Sequence, residues 1–312
     1  MARKRIVPAD HPAFANLPVN LIPLASGVSA AVHVAGNLGT RRLPVVCIPG
    51  YQRNMSDFGD FAAYFLRASG GAWPVVLLDL PGRGRSDDRP QKETYSSLSD
   101  ARDVASILAA LGIGQAVILG QGHGGQVAMA LAAQHPLLVA GTVLLDAGPV
   151  TDSRGIVRLR NNLAHVENLR GAKAVTAGFR RILGGDYPGL PEGQLEALIG
   201  RTHLIDNRGR ARPLYDGRLI AALADINFDD VLTAQWPLFD ALTCAPLMLL
   251  RTQLTDQLRR QTFDEMTRRR PDAAALTIAG QGSPALFDQS EEIEAVAEFV
   301  LKTGNDLLGR AA

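Results

Sequence analysis

The apolar positions of this chain follow two alternating patterns, short continuous runs and longer segments with helical spacing. Three of the runs, Val45–Ile48, Val75–Leu78 and Val143–Leu145, are apolar at every position, as strands buried on both faces of a sheet are. Runs bounded by glycine or proline predict eight strands, near residues 17–23, 28–35, 43–48, 74–79, 115–120, 140–146, 246–251 and 274–279. Helical spacing predicts five helices, near residues 56–68, 97–111, 123–134, 257–270 and 289–302. This alternation predicts an α/β fold with a doubly wound, mostly parallel sheet.

The stretch 150–240 departs from this alternation. It is richer in arginine, asparagine and glycine, and its helical segments (155–170, 173–183 and 191–202) have no predicted strand between them. We therefore expect an all-helical insertion between two strands of the sheet. The predicted division is a first part of the core at 1–149, the insertion at 150–240 and a second part of the core at 241–312.

The composition excludes several classes of partner and cofactor but does not indicate a reaction. The formal net charge of +1 and the 46% of hydrophobic residues argue against nucleic acid or an anionic membrane surface as the main partner. The two cysteines, Cys47 and Cys244, are expected to be buried free thiols, which fits a reducing cytoplasm. No stretch approaches the roughly twenty apolar residues of a membrane span. The six histidines show no metal-binding spacing, so the sequence predicts neither a metal nor another cofactor.

One glycine-rich stretch, VILGQGHGGQVAM at 117–129, matches two different motifs. Gly120–Gly125 has the G-x-G-x-x-G spacing that binds a dinucleotide, and Asp146 follows at about the distance of a ribose-binding acid. The same stretch has the strand-turn-helix pattern of the G-x-S-x-G nucleophile elbow, with Gly122 in place of the serine.

Further motifs follow the ends of the other predicted strands. Their ordered set resembles the α/β-hydrolase superfamily over roughly residues 20–303, and the insertion lies where that superfamily carries its cap. The motifs are a Pro49-Gly50 turn, the loop 79–86 with pattern D-x-x-G-x-G-x-S, the elbow, Gln134-His135-Pro136, Asp146-x-Gly148-Pro149, Arg251-x-x-x-Thr255-Asp256 and Gly280-Gln281-Gly282-Ser283-Pro284.

The resemblance implies a catalytic triad, and two of its members are absent. Gly122 stands at the nucleophile position, and Ser283 aligns with the histidine after the eighth strand, with Gly282 as the neighbouring alternative. The acid is Asp256 or, in the superfamily's alternative position, Asp146. The resemblance also implies an oxyanion hole, built from the backbone N–H groups of Tyr51 and His123 beside the Gly50 turn.

A serine triad needs an attacking oxygen and a base, and these residues supply neither. The first hypothesis is therefore a protein that retains the fold and binds a small apolar or acyl-type ligand, or a partner, without serine hydrolysis. The second is an active hydrolase or lyase with displaced machinery that uses His123, Asp146 or Asp256. The third is a nucleotide-binding protein that uses Gly120–Gly125.

The remaining candidates are interpreted structurally. His123 is expected at the rim of the pocket and His135 at a helix end. His33 falls in a strand, and surface positions are expected for His165 and His203 in the insertion. Asp79 and Arg83 resemble structural loop residues, and Arg268–Arg270 are expected to end a helix, where positive charge suits the helix dipole.

Overall fold

The computed structural model describes residues 5, 17–71, 73–287 and 290–310, the last range without the side chains of 290 and 306–310. Its centre is an eight-stranded sheet in the order β1-β2-β4-β3-β5-β6-β9-β10. The strands are β1 Val19–Pro23, β2 Ser29–Ala35, β3 Val45–Ile48, β4 Val75–Leu78, β5 Ala116–Gln121, β6 Val139–Leu145, β9 Leu247–Thr252 and β10 Ala274–Ile278. The strands from β4 to β10 in this order run parallel, whereas β2 is antiparallel to both β1 and β4. All eight predicted strands and the doubly wound, mostly parallel sheet are confirmed.

Helices cover both faces of this sheet because its central strands are apolar on both sides. Every residue of β3, β4, β5 and β6 is buried, and the apolar residues form one cluster on each face. The five predicted core helices are present as α1 Gly59–Ala68, α2 Ser97–Ala110, α3 His123–Gln134, α9 Arg260–Arg269 and α10 Ser290–Arg310. Arg268 and Arg269 lie in the last turn of α9, as expected, and both pair with Glu265.

The insertion between β6 and β9 is not all-helical, so that expectation was wrong. It contains α4 Ser153–Asn168, α5 Ala172–Asp186, α6 Glu192–Gly200, α7 Arg218–Ala221 and α8 Trp236–Asp240, but also a hairpin of β7 His203–Ile205 and β8 Ala211–Pro213. The Asp206 carboxylate accepts hydrogen bonds from the backbone of Arg208 and Arg210 and so closes the turn. Three-residue strands are too short for a period-two pattern to be recognised in the sequence. The division at 149 and 240 stays a prediction.

The insertion, called the cap below, rests on the loops that follow the parallel strands. Backbone hydrogen bonds join Gly84 to Leu214 at 2.8 Å and Asp216 to Gly82 at 2.7 Å, which attaches the cap to the loop after β4. Arg158 of α4 forms ion pairs with Asp256 after β9 and, at 2.9 Å, with Asp186 of α5. These contacts place the cap over the carboxyl edge of the sheet, where the loops that follow the parallel strands meet.

The two thiols have different environments. Cys47 lies in β3, and burial raises the pKa of its thiol, whereas Cys244 is exposed before β9. The expectation of two buried thiols was therefore wrong for Cys244, which ends a short 3₁₀ helix instead of entering the strand. Within the described residues, no helix is long and apolar enough to cross a membrane.

Candidate functional site

The glycine-rich stretch forms a sharp turn between β5 and α3. Gly122, between the two, has φ +53° and ψ −115°, a conformation that is unfavourable for any residue with a β-carbon. On either side of it, a β-carbon on Gly124 would overlap the carbonyl oxygen of Ile48, and one on Gly120 would overlap the carbonyl of Gly124. Glycine at 120 and 124 therefore lets the helix approach the sheet closely, and the strand-turn-helix elbow predicted from the sequence is present.

Gly122 opens into a cavity at the carboxyl edge of the sheet. A β-carbon at this position would have no atom within 4 Å, so the space that a nucleophile would occupy is free. The cavity has a volume of about 270 Å³. Its walls combine apolar side chains, many of them from the cap, with a few polar groups: Tyr51, Ser96, Ser97, His123, Gln126, Asp146, Ala147, Val150, Thr151, Ile156, Leu159, Leu223, Leu232 and Gln257.

Asp146 lies at the end of β6 and borders this cavity. Its carboxylate accepts hydrogen bonds at 2.7 Å from both the backbone N–H and the hydroxyl of Thr252. Burial raises the pKa of Asp146 to about 6, although hydrogen bonds from Thr252 and Ser283 oppose this shift. Asp146 itself has φ +48°, a strained backbone for a residue other than glycine. The structure thus brings together Asp146, Ser283 and the empty position above Gly122.

The alternative alignment at Gly282 is disfavoured by its packing. The Gly282 N–H donates to the carbonyl of Asp186 at 2.6 Å, and a β-carbon on Gly282 would lie 2.8 Å from that of Asp186. A histidine has no room there, whereas Ser283 is half-buried beside the acid.

Asp256 occupies a different environment from Asp146. Its carboxylate pairs with the guanidinium of Arg158 and accepts a hydrogen bond from Gln257 at 3.1 Å. These contacts tie the loop after β9 to the cap. Of the two candidate acids, Asp146 therefore lies beside Ser283 and Asp256 lies in the cap contact.

His123 begins α3 and makes a contact that the sequence did not predict. Its Nε2 lies 2.8 Å from Oδ2 of Asp100 on α2, and its ring packs edge-on against Tyr51 with centroids 5.2 Å apart. Asp100 is fully buried and also contacts Arg83 at 3.2 Å and Arg89 at 2.7 Å. Burial opposes ionisation of Asp100, but the charge of Arg83 and the hydrogen bonds from His123 and Arg89 hold its pKa well below the ordinary value. The side chain of His123 is therefore fixed in the cavity wall by its contacts with Asp100 and Tyr51.

The backbone around the cavity provides two donors. The N–H groups of Tyr51, after the Gly50 turn, and of His123 donate to no other backbone group in the described ranges. Backbone N–H groups that donate to no backbone acceptor are the kind of donor that binds a carbonyl oxygen or an oxyanion. Gly50 is buried, and a β-carbon on it would lie 3.2 Å from Cγ of Arg53.

The other candidates lie outside this cavity. His33 lies in β2, His135 is the residue that ends α3, and His165 is exposed, all as expected. His203 is not on the surface: it is buried between Thr202, Phe179 and Tyr215, and burial lowers its pKa to about 3. The carboxylate of Asp79 accepts backbone hydrogen bonds at 2.8 Å from Met55 and Arg85, which holds two loops together.

The family described as the alpha/beta hydrolase fold matches residues 44–186, which include the elbow, Asp146 and the first cap helices. Over these residues the chain matches that family, and its fold is the α/β-hydrolase fold. A solved α/β hydrolase from Novosphingobium aromaticivorans is 28% identical and superposes with a TM-score of 0.78, covering 91% of this chain and 98% of that one.

Two relatives have hydrolase names. The chain is 24% identical to a 3-hydroxybutyrate-oligomer hydrolase of Cupriavidus necator, over 86% of this chain and 92% of the relative. It is 27% identical to a 2-hydroxy-6-oxononadienedioate/2-hydroxy-6-oxononatrienedioate hydrolase of Burkholderia vietnamiensis, over 58% of this chain and 64% of that relative. The matched region thus spans somewhat less than two thirds of the Burkholderia protein.

Gly122→Ala is expected to lower the free energy of unfolding by about 1–2 kcal/mol, because the β-carbon would sit at φ +53°. No atom lies near that β-carbon, so the loss would report backbone strain without a clash. The matched control is Gly184→Ala in α5, where φ is ordinary, the space is also open and alanine should be neutral or stabilising. Urea denaturation of the three proteins measures the difference. Equal stability of the two variants would contradict a strained elbow.

Proposed function

We propose that this protein binds a small, partly apolar carbonyl compound in the elbow cavity and does not hydrolyse it through a covalent intermediate. The observation that carries the proposal is the open space above Gly122, at the place where the elbow would hold a nucleophile. Glycine has no atom that can attack, and Ser283 beside Asp146 is no base near neutral pH. The remaining groups of the site include two backbone N–H donors and an apolar wall, which are suited to binding.

The lining of the cavity favours an acyl-type ligand. Ile156, Leu159, Leu223 and Leu232 offer an apolar surface, and the N–H groups of Tyr51 and His123 offer donors for one oxygen. Cavities of this kind bind ligands through apolar contact and use a few polar groups for orientation. The names of the two relatives, a 3-hydroxybutyrate-oligomer hydrolase and a hydrolase of an oxo-dienedioate, also refer to small carbonyl-containing acids.

Binding can be tested with ethyl butyrate, which has a carbonyl group and a short apolar chain. Saturation-transfer NMR should detect its contact with the wild-type protein. Leu159→Trp should abolish the signal, because Leu159 borders the cavity and the larger ring would fill it. Leu163→Trp is the matched control, one turn further along α4 and outside this cavity. An equal signal from both variants, or none from the wild type, would refute binding at this site.

The purified protein is expected to show no turnover of p-nitrophenyl butyrate above a buffer control and no labelling by a fluorophosphonate. Both reagents report an activated serine, and none of the described residues places one at the elbow. Absorbance of released nitrophenol and mass spectrometry of the intact chain measure the two results. Stoichiometric labelling of a residue in 118–126 or 280–288, or a burst of nitrophenol, would show a working nucleophile and contradict the proposal.

A further inference from the structure

His123 and Asp100 have the arrangement of an oriented acid–base pair within the cavity wall. The buried Asp100 carboxylate is held ionised by Arg83 and Arg89, so it can only accept a hydrogen bond. Nε2 of His123, 2.8 Å away, must therefore carry the proton. In the neutral imidazole the lone pair is then on Nδ1, the nitrogen that can take up a proton.

The second ring nitrogen of His123, Nδ1, is accessible. Nδ1 has no hydrogen-bond partner among the described residues. Nδ1 is also not enclosed by other protein atoms, so a bound molecule can reach it. The residue itself borders the elbow cavity. The ring itself is fixed by Asp100 on one side and by the edge of Tyr51 on another. A base that is fixed in orientation and open on one nitrogen is ready to receive a proton from a bound molecule.

We propose that His123 is a general base of the elbow cavity, positioned by Asp100, and that it transfers protons next to a bound carbonyl group. This inference rests on the proposed function, because the carbonyl must bind at the N–H groups of Tyr51 and His123. Nδ1 takes the proton of a carbon adjacent to the carbonyl, and the electron pair of that C–H bond forms the enolate, whose negative charge the two N–H groups stabilise. The imidazolium returns the proton to the same carbon or to another position, so the reaction needs no co-reactant.

Charged and polar groups surround the pair formed by His123 and Asp100. Asp100 on α2 lies next to Nε2 of His123, and Arg83 from the loop after β4 contacts the same carboxylate oxygen, Oδ2. Arg89 contacts the other carboxylate oxygen of Asp100, and Tyr51 contributes its ring. Across the cavity, Asp146 is a second titrating group, since burial raises its pKa to about 6. The experiment must therefore separate His123 from Asp146.

The probe is nitrobenzisoxazole, which reports removal of one proton from carbon. The base takes the C–H proton, the electron pair forms the nitrile, the N–O bond breaks and the oxygen leaves as a coloured phenolate. Wild-type protein should accelerate this elimination above the rate in buffer. His123→Gln should lower the rate about 10²-fold, since its amide can still donate to Asp100 but provides no base. Asp146→Asn should lower the rate less than His123→Gln does, and the control His135→Gln, on the exposed end of α3, should stay within about twofold.

A positioning role for Asp100 predicts a shift that a merely structural role would not produce. Without the carboxylate beside Nε2, Asp100→Asn should lose the preference for the tautomer protonated at Nε2, which the ¹⁵N chemical shifts of the His123 imidazole report. If that variant fails to fold, because Arg83 and Arg89 lose their partner, the His123→Gln comparison still decides. A wild-type rate equal to buffer despite saturation transfer from the bound probe would overturn the inference and leave the proposed function intact. A rate lost in Asp146→Asn but kept in His123→Gln would also overturn it. Absence of probe binding would also overturn the inference, whereas the proposed function is judged by the binding of ethyl butyrate.

Discussion

The double variant Gly122→Ser/Ser283→His is expected to hydrolyse p-nitrophenyl butyrate, whereas each single variant should remain near the buffer rate. The introduced serine would stand in the open space above Gly122, and the introduced imidazole would stand beside the carboxylate of Asp146. A serine without a base and a base without a nucleophile are both inactive, because the members of a triad act as a unit. We expect the double variant to exceed the product of the single effects by on the order of 10²-fold, measured as steady-state release of nitrophenol.

A third substitution in the double variant can identify the acid of the restored triad. Adding Asp146→Asn should remove the restored activity, because this carboxylate lies next to residue 283. Adding Asp256→Asn should largely preserve it, because Asp256 pairs with Arg158 of the cap. The opposite ranking would transfer the acid role to Asp256. A folded double variant that neither turns over ester nor reacts with fluorophosphonate would mean that the oxyanion hole or the acid has been lost, or that the pocket has closed.

Gly124→Ala is expected to cost roughly 4 kcal/mol or more of the free energy of unfolding, or to prevent folding. Its β-carbon would overlap the carbonyl oxygen of Ile48 and lie 2.8 Å from that of Pro49. Both obstacles are backbone atoms, so no side-chain rotation relieves them, and the start of α3 would have to move away from β3. Urea denaturation followed by circular dichroism measures the loss.

Comparing the stability losses of Gly124→Ala and Gly122→Ala separates two different reasons for glycine at these positions. At Gly122 the reason is the backbone angle, and the loss should be small; at Gly124 it is the distance between helix and sheet, and the loss should be large. Gly184→Ala again provides the neutral reference. Similar losses at Gly122 and Gly124 would contradict this assignment.

The sheet could be predicted from the sequence because its strands are buried on both faces. Val45–Ile48 and Val75–Leu78 are apolar at every position, and such runs indicate a central strand without any knowledge of its neighbours. The hairpin of the cap could not be found in this way, since His203–Ile205 and Ala211–Pro213 span only three residues each. Asp206-Asn207-Arg208-Gly209 between them is the one local signal of its turn.

The residues of the candidate site that directly follow strands could be predicted from the sequence. The contacts that depend on the packing of separate elements could not. The elbow and Asp146 follow strands, so their position at one edge of the sheet could be inferred. The partner of His123 could not, because Asp100 lies on a different helix and a polar residue near the start of a helix most often caps it or faces solvent. The choice between Asp146 and Asp256 likewise depended on Arg158, which reaches the latter from the cap.

The missing side chain at Gly122 has a consequence for the chemical stability of a molecule bound in the cavity. Two N–H donors draw electron density from a bound carbonyl, which in an esterase prepares the group for attack by the side chain beside it. At Gly122 no side-chain atom stands in that place, so the elbow itself has no group that a bound activated ester or thioester could acylate. Under the function proposed above, the missing side chain would therefore leave an activated acyl compound in the cavity intact.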